Sequence, residues 1–126
     1  MPGTAKIFVK RGKKNSFLWK ARVFTSHAEL AAGIMKSPPD FQPALFIFPN
    51  SSRWRNSIHS FFCPKFDAVF LDEEFEVVDV ISQIQPFQLL VIPRQRAKYL
   101  LELPAGEAKS KSVALGQKFQ FKFLEG

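Results

Sequence analysis

The chain has 126 residues and a formal net charge of +7, the size of one ordinary domain, able to bury a core without metals or disulfides. Hydrophobic residues make up 46% of it, which excludes a disordered composition, and the single cysteine, Cys63, excludes an internal disulfide and a thiolate zinc site. Met1 to Lys14 hold no apolar signal region and no apolar run is long enough to span a bilayer, so the expectation is a cytoplasmic protein with no membrane partner.

The first elements form a hairpin. "KIFVKR" (Lys6 to Arg11) alternates as a strand does, and "GKKNS" offers Gly12 and Asn15 for a turn. "FLWKARVF" (Phe17 to Phe24) returns, with Phe17, Trp19, Ala21 and Val23 predicted on one face. The period then changes. Thr25 or Ser26 caps a helix, and Glu29 stands three residues after Ser26, the spacing of a capping box. Gly33 weakens that helix and "KSPPDFQP" ends it. His27 falls in its first turn and is expected to be solvated.

"ALFIF" (Ala44 to Phe48) is short and wholly apolar, so it reads as a buried strand. "PNSSRWRNS" is a loop and "IHSFF" a possible short strand. "DAVFLD" and "FEVVDVISQI" (Phe75 to Ile84) read as an antiparallel pair joined by Glu73 and Glu74. "FQLLVIP" and "AKYLLEL" read as further strands, and "PAGEAKSKS" (Pro104 to Ser112) as one or two helical turns. In "KFQFKF", Phe119, Phe121 and Phe123 alternate with polar residues as in a half-buried strand. The sum is a single domain over 1–126 of the β-rich α+β class. It is a compact, mostly antiparallel, barrel-like sheet of about eight short strands with one or two short helices.

Gly33-Ile34-Met35, "LFIFP" (Leu45 to Pro49), "FDAVFLD" (Phe66 to Asp72), "YLLELPAG" (Tyr99 to Gly106) and Gly116 follow one another in that order. The order resembles the prokaryotic domain-of-unknown-function family 192, over roughly Phe17 to Phe123. The resemblance implies a small β-rich fold and no established activity. It matches Asp67 and Glu102 to the acidic positions of the family's Leu-Asp and Leu-Glu motifs. The sequence also departs from the pattern. The family's Phe-Trp-Met-basic-Asn stretch is replaced by Ser57-Ile58-His59-Ser60-Phe61, and its proline ahead of Leu-Asp by Lys65.

Two acids sit inside apolar strands. Asp67 shares a strand face with Val69 and Leu71, and Glu102 with Leu100. Burying an unpaired carboxylate is costly and raises its pKa. Such acids either accept hydrogen bonds from backbone amides or an arginine such as Arg22 or Arg96, or they form an acid/base pair. His59 lies near the first of them in sequence and is the better functional candidate of the two histidines. No metal-ligand spacing such as His-Glu-x-x-His, no phosphate-cradling glycine loop and no nucleophile motif occurs, so no cofactor, metal or catalytic set is assigned. Cys63 reads as a buried, inert thiol.

"SSRWRNS" is the clearest binding loop: Arg53 and Arg55 flank Trp54, which can stack on a base, a sugar or a protein side chain. Acids gather at Asp72, Glu73, Glu74, Glu76 and Asp79, leaving a basic region elsewhere. Fifteen phenylalanines against one tyrosine add a third possibility, a homodimer seam along Phe119 to Phe123. The reading is a non-enzymatic binding module for a nucleic acid, another polyanion or a protein partner, through Arg53, Trp54 and Arg55. The alternative is a small-ligand-binding protein or enzyme that uses Asp67, Glu102 and His59 in one cleft.

Overall fold

The computed structural model describes residues 2–125, with the side chains of Pro2, His27 and Glu125 excepted. The solvated His27 expected from sequence therefore lies outside the described side chains. In chain order the elements are β1 (Pro2–Arg11), β2 (Lys14–Phe24), α1 (His27–Ala32), β3 (Ala44–Ser52), β4 (Phe66–Leu71), β5 (Val77–Ile84), β6 (Ala97–Pro104), α2 (Glu107–Ser110) and β7 (Phe119–Glu125). The strands form one sheet in the order β5-β4-β6-β3-β2-β1-β7. It is mixed: β2 and β3 run parallel, joined by the crossover that contains α1, and the other neighbours are antiparallel. None of the described helices is long and apolar enough to cross a membrane.

The sheet is not closed, so the expected barrel-like form is reduced to an open, β-rich sheet. Among the described residues its edge strands β5 and β7 meet at one corner, through the Glu76–Lys118 bridge and backbone hydrogen bonds from Phe119 N–H to Phe75 O, Val77 N–H to Gln117 O and Gly116 N–H to Val77 O. Seven strands replace the eight expected because "FQLLVIP" is not one. Prolines 86 and 93 bracket it, and its backbone bonds to Ser60 and Ile58 instead of extending a ladder. "IHSFF" likewise contributes only the bridge from Ile58 to Val91.

Local signals otherwise act as their chemistry demands. Ser26 Oγ accepts from Glu29 N–H, and the Glu29 carboxylate accepts from Ser26 N–H, completing the capping box of α1. In β2 the strict alternation fails at one point. The register steps from Ile7↔Trp19 to Phe8↔Phe17, so Leu18 is an extra residue in a bulge. Leu18 and Trp19 are then both buried while Phe17 turns out to solvent.

Two apolar clusters cover the two faces. One gathers residues such as Ile7, Trp19, Leu45, Val69, Leu101 and Phe119 around Ala108 of α2. The other, with Phe46, Phe66, Phe70 and Leu100, lies on the opposite face beneath Ile34, Phe41 and Val91. Strands β4 and β6 therefore have neighbours on both faces, and all six residues of β4 are buried. Asp67 is one of those six and is wholly inaccessible to solvent. Its carboxylate accepts three backbone N–H groups: Gln83 at 2.8 Å on Oδ1, and Gly106 and Ala108, each at 3.0 Å, on Oδ2. Gly106 adopts φ +95 to turn its amide toward the acid. The end of β5 and the start of α2 are thus held by one side chain. The arginines expected as partners point elsewhere: Arg22 stacks over Phe24, and Arg96 donates to Ser51 O.

Asp67→Asn keeps the shape but loses the charge and turns an N–H₂ toward amide donors. The expected loss of unfolding free energy is about 2–4 kcal/mol, measured by urea denaturation. A loss below about 1 kcal/mol would show that the three amides find other acceptors.

Candidate functional site

Glu102 carries the chemistry on the other face. The partners Asp67↔Leu103 and Ala68↔Glu102 place the two acids at alternate positions of adjoining strands, so their carboxyls point to opposite sides of the sheet. The acid/base pair weighed from sequence is not formed. Glu102 is 5% exposed, and it faces a cleft of about 330 Å³.

The cleft lies between α1 with its following turn and the segment that runs from Phe46 through Ile58 to Cys63. Leu30, Ile34, Met35, Phe46, Phe48 and Ile58 make its walls apolar. Arg55, Asn56, Ser57 and His59 supply polar atoms, with Glu102 at the buried end. Gly33, the C-cap of α1, sits at φ +50, and a Cβ placed there would stand 3.3 Å from Phe46 Cζ and 3.6 Å from Glu102 Oε1. A Cβ at this position would press on the Phe46 ring and reach ordinary contact with the carboxyl. The backbone turn therefore needs glycine on steric as well as conformational grounds.

Burial alone pushes the Glu102 carboxyl up to about 8. No arginine or lysine compensates it, and among the described residues no donor satisfies it. At neutral pH it holds its proton, so it presents an O–H donor beside a C=O acceptor. Burial also pushes the Cys63 thiol up to about 11, with the Glu102 charge adding to the effect. Cys63 is accordingly a protonated, weakly reactive wall of the cleft.

His59 is half-buried, and its Nδ1 accepts the Phe61 N–H at 3.1 Å. That bond leaves Nε2 to carry the proton of the neutral ring. Asn56 is buried and donates to Asn50 O and Ala97 O at 2.7 and 2.6 Å, fixing the loop that carries Arg55. Arg55 lines both the cleft and a shallow outer groove shared with Glu73 and Arg96. Arg53 is pinned by its Nε bond to Pro93 O at 2.8 Å, with its guanidinium 5.6 Å from the Trp54 ring. Trp54 does not fold back onto the core and is 64% exposed.

Of the six residues singled out in the sequence, the structure brings Arg55, His59 and Glu102 to one cleft. Arg53 and Trp54 stand outside its lining, and Asp67 is engaged on the far face of the sheet. His59, Cys63 and Glu102 do not converge as a metal-ligand set. The sequence reading missed Gly33, Met35, Phe48 and Asn56 as parts of the site. The one available signal was the glycine ending a helix next to two apolar residues, which marks a close approach as readily as a helix stop.

Comparison with known proteins places this geometry in a family. Residues 8–121 match the model of DUF192, described as "Uncharacterized ACR". A UPF0127 protein of Pyrococcus horikoshii is 34% identical over 116 residues, 91% of this chain and 98% of that one. One from Pyrococcus abyssi is 32% identical, covering 91% and 97%. Among solved structures, a Sinorhizobium meliloti protein described as a "putative transcription regulator" superposes with a TM-score of 0.80 at 17% identity, covering 95% of each chain. A protein of unknown function from Novosphingobium aromaticivorans gives 0.79 at 15% identity, covering 93% of this chain and 84% of that one. These two share the fold. A family match over most of the chain, with archaeal relatives matched along nearly their full length, makes this chain a member of the DUF192 (UPF0127) family.

Proposed function

We propose that the chain is a small-molecule-binding protein whose site is the Glu102 cleft. One observation carries this reading: a carboxyl with no hydrogen-bond partner among the described residues, held at the buried end of an apolar cleft beside Gly33. A fold that needed Glu102 only for structure would give it donors, as it gives Asp67 three. A protonated carboxyl offers a donor and an acceptor side by side. Its complement is a neutral group with the reverse arrangement, such as an amide or lactam, on a compact apolar body. Arg55 favours a polar or anionic end toward the mouth.

A nuclear magnetic resonance screen of small amides, lactams, carboxylates and amines tests this. Neutral amides and lactams are expected to shift the Met35 and Ile58 methyl signals. Glu102→Gln should retain part of the effect and Glu102→Leu abolish it. Hits that ignore Glu102→Leu, or that favour amines, would remove the cleft from consideration.

The acid also sets a pH signature without any ligand. The unfolded chain releases the Glu102 proton near the ordinary carboxyl value of 4.5, and the folded chain near 8. Between these values the folded state binds the extra proton, so stability falls as pH rises through the window and falls no further above it. The slope is at most ~1.4 kcal/mol per pH unit. Comparing denaturation midpoints at about pH 5 and about pH 9, the wild type should lose stability that Glu102→Gln does not. Equal pH profiles for the two proteins would show that Glu102 is ionised in the fold.

The exposed Trp54, framed by two arginines, favours a second reading as a binding module for a nucleic acid or other polyanion. Affinity for short RNA and DNA should then fall steeply with salt and weaken in the Arg53→Ala, Arg55→Ala double variant. No binding at low salt would leave the positive charge without this role.

A further inference from the structure

Among the described residues the buried acids are Asp67, Asp79 and Glu102, and the third alone has no donor. Asp67 accepts three backbone amides. Asp79 accepts the Arg94 N–H at 2.9 Å and pairs with the Arg94 guanidinium at 3.2 Å. Donors of that kind stabilise a carboxylate and weaken it as a base. The Glu102 carboxylate, once formed, has none of them and is the more basic for it.

The groups around the cleft leave this basicity in place. From α1, the Glu29 carboxylate turns back to the Thr25 and Ser26 amides. Lys36, after α1, does not line the cleft. β3 contributes Phe46, Phe48, Pro49 and Asn50, none of them charged, and Asp67 of β4 faces the other side of the sheet. Arg55, His59 and Cys63 do line it, and no described hydrogen bond joins them to Glu102. Cys63 keeps its proton.

His59 brings a second group to the same space. Its Nδ1 is taken by the Phe61 N–H, so the neutral ring keeps Nε2–H as a donor. A base without donors and a neutral N–H in one apolar cleft are the two parts that enolisation needs. One takes the proton from carbon, and the other holds the oxygen on which charge collects. The volume, about 330 Å³, is at the small end for ligand sites and suits a compact molecule.

We propose that the cleft catalyses proton transfer at carbon in a compact, neutral carbonyl compound, with Glu102 as the base and His59 as the donor to the carbonyl oxygen. The Glu102 carboxylate takes a proton from the carbon beside the carbonyl. The C–H electron pair becomes a C=C bond, and the carbonyl π pair moves to the oxygen, which accepts from His59 Nε2–H. The carboxyl then returns the proton, to the same carbon or to the far end of the conjugated system, and the carbonyl re-forms. Glu102 is again a carboxylate, and the product is an isomer of the substrate. This activity rests on the reading of the cleft as a small-molecule site.

The β,γ-unsaturated isomer of cyclohexenone is the probe, because moving its double bond into conjugation is this reaction and changes its ultraviolet absorbance. After subtraction of the rate in buffer alone, turnover by the wild type should rise roughly tenfold per pH unit and level off near pH 8, where the folded chain releases the Glu102 proton. Glu102→Gln should lose roughly a hundredfold or more. His59→Phe should lose roughly tenfold or more without moving the pH at which the rate levels off. No turnover by the wild type, a profile that does not level off there, or undiminished rates in either variant would overturn the proposal. The Met35 and Ile58 methyl signals separate two kinds of failure. Shifts on adding the probe without turnover remove the base and leave the binding site. No shifts with the probe or with any screened amide remove both.

Discussion

A strand pair buried on both faces has no place to leave a charge, and β4 with β6 places one carboxylate on each face. The fold resolves the two burials in opposite ways. Asp67 is surrounded by amides, which replace the water it has lost and turn it into the joint between β5, β6 and α2. Glu102 receives no donor and keeps its proton instead. The same cost, met once by hydrogen bonding and once by neutralisation, separates a structural acid from a chemical one. The two acids are close in sequence pattern and their roles are set by what lies above each strand face.

Much of the frame was legible because its signals are local. The capping box at Ser26 and Glu29, the hairpin of β1 and β2, the β4–β5 pair and the alternation of β7 all depend on residues within a few positions of each other. Even the separation of Asp67 from Glu102 follows from parity once their strands are aligned, but the alignment is a long-range fact. The Phe87–Pro93 run misleads for a related reason. Its composition is that of a strand, yet a strand needs a neighbour with free backbone groups, and here those groups are taken by Ser60 and Ile58. The bulge at Leu18 was hidden likewise, since only the register against β1 shows which residue is extra.

The site was harder to read than the frame. Arg55, His59 and Glu102 were visible as unusual residues, but the cleft is made by residues that look ordinary. Met35, Phe48 and Ile58 line it because a glycine lets the end of α1 approach β3 and β6. Backbone strain follows the same geography. Lys36 and Phe62, both at positive φ, are joined by a hydrogen bond beside the cleft, and Gln83 takes its positive φ where its amide serves Asp67. Strain is concentrated where the chain is forced to meet an acid or a neighbouring loop, and Gln83 carries it into the end of β5.

The pairing of β1 with β7 has a consequence for how the protein is made. Thr4 lies opposite Leu124 and Val9 opposite Phe119, so β1 takes β7, far along the chain, as its outer neighbour. On a ribosome adding roughly 5–20 residues per second, the β1–β2 hairpin emerges early and waits several seconds or more with one edge unpaired. An unpaired edge is a template for a neighbouring chain. Lys6 and Lys10 stand on that waiting strand, and their charges oppose its capture by other nascent copies until β7 arrives. The sheet is then completed by the contact of longest sequence separation among its strands, the slowest kind to form.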